Sequence, residues 1–370
     1  MRIDTLLAAA IFSLTLLLVL ARPRELAEAW WAAAGGLLVL VLGLVTPRQA
    51  WRIIRLAEDA LVFLIGMMIL SALAERAGFF EWAATLAARA GGGRVLRLYV
   101  FVFLVGTVIT ATLSLDATAI VLTPIIYGMV VRLRLRPLAF MFAISAIANT
   151  ASLFLPISNL TNLLLYGALN LDFFRFALVM LLPALLAVLT NIVVFVLLFR
   201  RDLRGGYQPE PGGFTPKDRA FFRLATVWLG VVLAGVFAAS AAELPVGPVA
   251  LGGGLLLLAV SWARGWAPAG PVLRAVSWQL IVLVLGLFLV VQGVENAGLA
   301  GLIQRAFDAA APGDRLWQIA ATALGTTLGA NLITNIPMTI VTPSAVGPLT
   351  REGMLRPASA YAALLGTNIG

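Results

Sequence analysis

The sequence contains no cysteine and no histidine, and only 12% of its residues are charged. Without cysteine, the chain can form neither a disulfide nor a zinc site built on thiolates. Without histidine, any proton transfer must use carboxylates, hydroxyl groups or water. We therefore expect no resident metal ion and no cofactor.

Apolar sequence is what the chain has in abundance, since 61% of its residues are hydrophobic. The apolar runs are about 17 residues or longer, more than the apolar stripe of a soluble helix provides. They predict an all-α integral membrane protein whose helices are surrounded by lipid. The net charge of +9 comes mainly from arginine in short segments between the apolar runs, where it sets topology. It therefore does not indicate a nucleic-acid partner.

The apolar runs predict a series of membrane spans, an interfacial stretch and one soluble linker. The uninterrupted spans are predicted at residues 5–22, 29–46, 58–75, 173–199, 221–242, 245–263 and 278–294. We interpret the first as a retained span rather than a signal peptide because Arg22-Pro-Arg24 follows it. Residues 79–89 are amphipathic and are expected at the membrane surface, as is a second stretch near 299–309. The linker, residues 200–219, is rich in glycine and proline, a composition that we expect not to pack a core.

Two further apolar stretches of the first half are interrupted. Residues 98–131 are too long for one crossing and have arginines at both ends, which predicts a re-entrant hairpin with its tip near residues 114–118. Residues 138–166 form a crossing interrupted around residues 152–158, where Pro156 removes a backbone donor. Non-helical backbone at membrane depth is tolerated only where it is buried in protein or lines a wet cavity.

The second half of the chain repeats the first. Asp116-Ala-Thr-Ala-Ile-Val-Leu-Thr-Pro124 is echoed by Asn335-Ile-Pro-Met-Thr-Ile-Val-Thr-Pro343, and Asn149 by Asn368. Gly66 matches Gly286 at an offset of about 220 residues, as expected for the internal repeat of a secondary transporter. We therefore predict two inverted repeats, residues 1–199 and 220–370, each with about five crossings, a re-entrant hairpin and a broken helix.

The repeat also makes predictions for the second half. It predicts a second hairpin at residues 316–349 and a crossing that begins at Pro357. Continued past Asn368, it leaves the second repeat short of its C-terminal end by about 50 residues.

The distribution of positive charge predicts the orientation. About two thirds of the 26 lysines and arginines lie on the side that holds the linker, and such an excess marks the cytoplasmic side. The linker is then cytoplasmic, the N-terminus faces outward, and the protein belongs in the inner (plasma) membrane.

Asp116 is the acidic residue that we place at the membrane centre. A carboxylate at that depth costs on the order of 3 kcal/mol on insertion scales, so it needs partners or water. Two interpretations remain open. Asp116 could cap the half-helix of residues 117–131, or it could be a protonatable or ligand-binding group.

Hydroxyl and amide side chains near the two interruptions complete the candidate site. Asn149 and Ser152 lie beside the predicted break, and we favour a cavity for them, whereas Asn191 fits helix–helix bonding. No metal ligand is predicted. The candidate substrate-binding and coupling residues are Ser114, Asp116, Thr118, Asn149, Thr150, Ser152, Thr334, Asn335, Thr367 and Asn368.

These motifs resemble the ion-transporter superfamily of arsenite efflux pumps, sodium/proton antiporters and sodium-coupled dicarboxylate carriers. The match is closer to the arsenite efflux family, through Asp116 to Pro124, Asn149-Thr-Ala-Ser-Leu153 and Leu365-Gly-Thr-Asn-Ile-Gly370. The resemblance implies a secondary active antiporter, not an enzyme, that exports arsenite or antimonite in exchange for protons. It also implies a soluble, arsenite-stimulated ATPase subunit as a partner on the cytoplasmic face.

Other functions were weighed against this one. A sodium/proton antiporter or an organic-anion (dicarboxylate-type) carrier of the same fold is the main alternative, although a sodium site needs more than one carboxylate. An intramembrane protease needs two membrane aspartates or a serine with a histidine, neither of which this chain offers. A non-transporting scaffold is a further alternative.

Overall fold

A computed structural model describes most of the chain. The described residues are 3–168, 173–208, 214–298 and 315–333, with short pieces at 335–336, 338–339, 342, 361–362 and 365. The predicted interfacial stretch near 299–309, most of the second hairpin after residue 333 and the crossing from residue 357 lie largely outside these residues.

Helices account for the described fold. The α-helices are α1 (Ile3–Ala21), α2 (Glu28–Val41), α3 (Pro47–Ala77), α4 (Phe79–Ala90), α5 (Val95–Thr112), α6 (Thr123–Arg132), α7 (Pro137–Thr150), α8 (Leu160–Ala168), α9 (Phe173–Leu198), α10 (Arg219–Ala241), α11 (Gly247–Ala263), α12 (Ala269–Arg274), α13 (Trp278–Asn296) and α14 (Arg315–Ile333). A π-helix (Ala117–Leu122) precedes α6, and 3₁₀ turns occupy Pro23–Glu25, Ala151–Leu153 and Pro156–Ser158.

Several of these helices are long and apolar enough to cross a bilayer. Among the described residues they are Ile3–Ala21, Pro47–Ala77, Val95–Thr112, Phe173–Leu198, Arg219–Ala241 and Ala269–Asn296. Many large apolar side chains on them are exposed, such as Leu182 and Leu197, each 64% exposed. An exposed apolar surface of this kind is stable only in lipid. The prediction of an all-α integral membrane protein is confirmed.

Helix α3 begins earlier than the predicted span at residue 58. Thr46 and Gln49 form a reciprocal cap: the Gln49 amide N–H donates to Thr46 Oγ1 at 3.3 Å, and the Thr46 N–H donates to Gln49 Oε1 at 2.9 Å. Pro47 occupies the first helical position, where its missing N–H costs nothing. The cap therefore starts the helix in polar sequence, well before the apolar run.

The described chain divides into two compact units that do not follow the order of the sequence. One unit comprises Met1–Leu61, Thr161–Asp172 and Ser277–Gly370, and the other comprises Val62–Leu160 and Phe173–Val276. Each unit therefore contains segments from both predicted repeats.

In the first unit, α13 packs closely on α2. Gly286 makes the approach possible, since a Cβ there would lie 2.5 Å from the carbonyl carbon of Ala32. Around this contact, buried side chains of α1, α2 and α13 form a core that includes Leu16, Leu287 and Val291. A helix from the second half is thus held against two helices from the first.

The second unit contains the matching contact. A Cβ at Gly66 of α3 would lie 2.6 Å from the carbonyl oxygen of Ala250 in α11, and a Cβ at Gly254 would lie 2.9 Å from the Gly66 carbonyl oxygen. Small residues let helix backbones approach closely in membranes. Gly66 and Gly286, paired by the sequence repeat, therefore make equivalent contacts, each with a helix from the other half of the chain.

The first part of the linker is packed rather than free, contrary to the prediction from its composition. Leu203 and Tyr207 are buried. The Tyr207 N–H donates to the Gly93 carbonyl at 2.8 Å, and the Val95 N–H donates to the Gly205 carbonyl at 3.3 Å. Arg136 at the start of α7 pairs with Asp202 at 2.6 Å. The buried side chains of Leu203 and Tyr207 and these backbone hydrogen bonds therefore attach the linker beside the start of α5.

Candidate functional site

The chain breaks where the tip of the first hairpin was predicted. Helix α5 ends at Thr112, and after Leu113 and Ser114 the backbone becomes helical again. Ser114 Oγ accepts a hydrogen bond from the Ala117 N–H at 3.1 Å. Ser114 is therefore the N-cap of the second arm.

Asp116 does not cap this helix, so that interpretation of its carboxylate is wrong. Asp116 already has helical backbone angles, and its side chain makes no capping hydrogen bond. Within the part of the chain that the structure describes, its carboxylate accepts no hydrogen bond and forms no ion pair. The side chain is only half-buried, in the first turn of a helix, where the helix dipole favours a negative charge. The carboxylate is therefore available to a ligand or a proton.

Thr118 holds the two arms of the tip together. Its hydroxyl lies 2.7 Å from that of Thr110 on α5, and both side chains are fully buried. Thr110 donates its hydrogen to the Gly106 carbonyl at 2.8 Å, so Thr118 donates to Thr110. In this conformation the Thr118 hydroxyl bonds to protein. It was predicted as a substrate-site residue, but a substrate cannot reach it here.

A widened helical turn follows the tip, a feature that the sequence analysis missed. Residues Ala117–Leu122 form a π-helix, and Thr123 Oγ1 donates to the Thr118 carbonyl five residues back, at 3.4 Å. Pro124 supplies the reason, because it has no N–H and its ring would clash with the carbonyl four residues earlier in a regular α-helix. The proline inside an apolar run was the available signal. π-Turns occur frequently at functional sites.

The broken crossing has the predicted interruption. Helix α7 ends at Thr150, two 3₁₀ turns follow, and α8 begins at Leu160. Ser158 is buried and donates to the carbonyl of Ala111 near the end of α5, at 2.7 Å. Ser152, also buried, donates to the Asn149 carbonyl at 2.6 Å. Both serines therefore satisfy backbone carbonyls that the breaks leave open.

Asn149 differs from its neighbours because its side chain is exposed. Among the described residues, its side chain makes one long hydrogen bond, in which Nδ2 donates to the Ser145 carbonyl at 3.4 Å. The Thr150 hydroxyl, in contrast, donates to the Ala146 carbonyl at 2.7 Å and accepts from Asn191 Nδ2 at 3.1 Å. Asn191 thus bonds α9 to α7, as predicted, whereas Asn149 keeps most of its hydrogen-bonding capacity.

The second half-site is only partly described. Asn335 is helical and half-buried. Thr334, Thr367 and Asn368 lie outside the described residues. Helix α14, which starts at Arg315, corresponds to α5 in the sequence repeat. Thr342 donates to the Met338 carbonyl four residues back, at 2.7 Å, whereas its counterpart Thr123 reaches five residues back.

Comparison with known proteins places the chain in a family. The family model for the arsenical pump membrane protein matches residues 7–370. The chain therefore belongs to the arsenical pump membrane protein family. The arsenical pump membrane protein of Escherichia coli K12 is 34% identical over 373 residues, covering 99% of this chain and 86% of the relative.

Other relatives give the same result. The arsenical pump membrane protein of Yersinia enterocolitica is 33% identical over 371 residues, with 99% of this chain and 86% of that protein covered. A putative arsenical pump membrane protein of Bacillus subtilis is 23% identical over 383 residues, with coverage of 97% and 86%. The resemblance inferred from the motifs at residues 116–124, 149–153 and 365–370 is confirmed at the level of the family.

Proposed function

We propose that the chain is a secondary active transporter that exports arsenite or antimonite in exchange for protons. The observation that most supports this proposal is the Asp116 carboxylate, which has no protein partner among the described residues and is not needed as a helix cap. A carboxylate in this position can take up and release a proton as its surroundings change. The names of the relatives supply the class of substrate.

The chemistry of the surrounding side chains suits an uncharged, hydroxyl-rich solute. Arsenous acid offers O–H donors and oxygen acceptors, which the exposed Asn149 amide can match with its carbonyl and NH₂ groups. Ser114, Thr118, Thr150 and Ser152 bond to the protein and keep the tip and the break in shape. We propose Asp116 as the coupling group and Asn149 as a substrate contact. Asn335 would be the symmetry-related contact, together with Thr334, Thr367 and Asn368.

The setting of this proposal follows from the charge distribution. The protein would lie in the inner (plasma) membrane, with its N-terminus outside and residues 200–219 in the cytoplasm. A soluble arsenite-stimulated ATPase subunit would dock on the cytoplasmic face. The residues 1–199 and 220–370 would form two inverted repeats joined by the linker.

A transport assay in inverted vesicles tests the proposal. Vesicles containing the purified chain, with an acidic interior, should accumulate arsenite, and collapsing the proton gradient with an ionophore should abolish accumulation. Parallel assays with sodium and with succinate test the two alternative substrate classes. Gradient-dependent movement of sodium or succinate without arsenite would contradict the proposal, and protein-free vesicles provide the baseline.

A further inference from the structure

A surface cavity of about 440 Å³ lies beside the start of α10, well apart in sequence from the candidate transport residues. Its lining comes from the segment that leads into α10 and from one face of the helix. The lining residues are Phe214, Thr215, Pro216, Arg219, Phe222, Arg223, Thr226 and Val227. On α10 they recur at the spacing that places side chains on one helix face.

Two guanidinium groups lie at the water end of this cavity. Arg219 and Arg223 are exposed, and neither forms an ion pair or hydrogen bond in the described part of the chain. The adjacent acidic residue is already engaged, since Asp218 Oδ1 accepts from the backbone N–H groups of Ala220 and Phe221 at 2.8 and 2.9 Å. Guanidinium groups bind phosphate oxygens in a bidentate manner. Among the described residues, the two positive charges therefore have no protein counter-ion.

The rest of the cavity is apolar and aromatic. The ring of Phe222 lies 5.2 Å from Phe214 and 6.1 Å from Trp82 of α4, measured between centroids. Val227 continues the apolar lining towards the centre of a helix that is apolar enough to cross the membrane. A free inorganic anion would leave this part of the cavity unfilled.

Thr226 lies between Arg223 and Val227 in the lining of the cavity. Its hydroxyl is buried and has no hydrogen-bond partner among the described residues. A buried unpaired hydroxyl is costly, so an oxygen atom that entered the cavity and displaced the side chains covering Thr226 Oγ1 would be stabilised by it. Along α10, Arg219 and Arg223 thus come first, with Phe222 between them, and Thr226 and Val227 follow.

From this order we propose that the cavity binds an anionic phospholipid of the leaflet at which α10 begins. The phosphate would lie between Arg219 and Arg223, an ester oxygen of the glycerol would accept from Thr226, and an acyl chain would lie along Phe222 and Val227. The site does not depend on the proposed transport function.

Lipid binding to the purified chain tests this proposal, with native mass spectrometry comparing phosphatidylglycerol and phosphatidylcholine. The double variant Arg219→Gln/Arg223→Gln should lose about tenfold or more of its preference for phosphatidylglycerol, since each surface cation contributes to attraction of anionic lipid. The matched control is Arg200→Gln/Arg201→Gln, which removes two exposed arginines from the linker and should change the preference by no more than about twofold. Thr226→Val, nearly the same shape, should weaken phosphatidylglycerol binding while both arginines remain.

Three results would overturn the proposal. Equal losses in the two double variants would mean nonspecific attraction to charge. An unchanged preference in Arg219→Gln/Arg223→Gln would place the lipid elsewhere. Displacement of phosphatidylglycerol by soluble glycerol phosphate at the same concentration would mean that the cavity binds a soluble anion rather than a lipid.

Discussion

The break after α5, at the predicted hairpin tip, and the break after α7 both interrupt a helix, but they leave different groups unused. At the first break, Ser114 and Thr118 bond to protein, whereas the Asp116 carboxylate has no partner among the described residues. At the broken crossing, Ser152 bonds to the backbone and the exposed Asn149 amide makes only a weak contact. Hydroxyl groups thus maintain the shape of both breaks, and each break leaves one strongly polar side chain with little or no bonding to the described protein.

The largest expected effect is at Asp116. Asp116→Asn should reduce proton-driven arsenite accumulation by about a hundredfold, because the amide cannot ionise and proton-transfer groups are worth that much or more. The thermal unfolding temperature should stay close to that of the parent chain, since Ser114 provides the cap. Transport is measured in inverted vesicles with an imposed pH gradient.

Asp202→Asn is the control for this variant, because Asp202 is an acidic residue paired with Arg136 outside the tip. It should transport arsenite at a near-parental rate. If Asp116→Asn also accumulated arsenite against a gradient, the carboxylate would have no coupling role.

Asn149 and Asn191 provide the next comparison. Asn149→Leu should weaken arsenite binding about tenfold, the loss expected for one or two hydrogen bonds to a ligand. Asn191→Leu should leave binding nearly intact and lower stability, because Asn191 bonds Thr150. Binding is measured by isothermal titration calorimetry on the purified variants. Equal effects of the two changes on binding would make Asn149 a packing residue.

Thr110 and Thr118 test whether hydroxyl groups hold the tip together. Thr118→Val should lower the free energy of unfolding by about 1 to 3 kcal/mol, since it leaves a buried partner unsatisfied. Thr110→Val/Thr118→Val should cost less than the sum of the single changes, because both partners are then apolar. Denaturant unfolding in detergent measures all three variants, and strict additivity would show that the pair is not coupled.

The smallest expected effect is at Ser114. Ser114→Ala should lower stability by about 1 kcal/mol, the usual loss for an N-cap serine. Ser114→Asp should restore most of this loss, because aspartate also caps well. The same unfolding measurement applies. A larger loss in Asp116→Ala than in Ser114→Ala would return the capping role to Asp116.

Much of the fold could be predicted because a helix in a bilayer needs a long apolar run, so the runs and their interruptions mark the helices and the breaks. The break after α7, with Pro156, and the amphipathic helix α4 were found in this way. Hydropathy could not predict the helix boundaries that local hydrogen bonds determine. The start of α3 depends on Thr46 and Gln49, which lie outside the apolar run.

The residue types of the candidate site could be predicted from the sequence, but the role of each residue could not. Polar residues at membrane depth could be identified from the sequence, yet Ser114 and Asp116 are two residues apart and either could cap a helix. Only backbone geometry distinguishes them, because a capping residue is itself non-helical and accepts from an N–H two or three positions later. The packing of Tyr207 likewise depends on Gly93, which is distant in the sequence.

The exchange of helices between the two halves has a consequence for how the protein is made. Gly66 packs on Ala250, and Ala32 packs on Gly286. Each of these first-half helices therefore packs on a helix that is translated later. During synthesis, the first-half surfaces at Ala32 and Gly66 remain without their helix partners until the second half is made. The nascent first half therefore depends on lipid or on insertion factors to cover these faces, and neither half is a folding unit by itself.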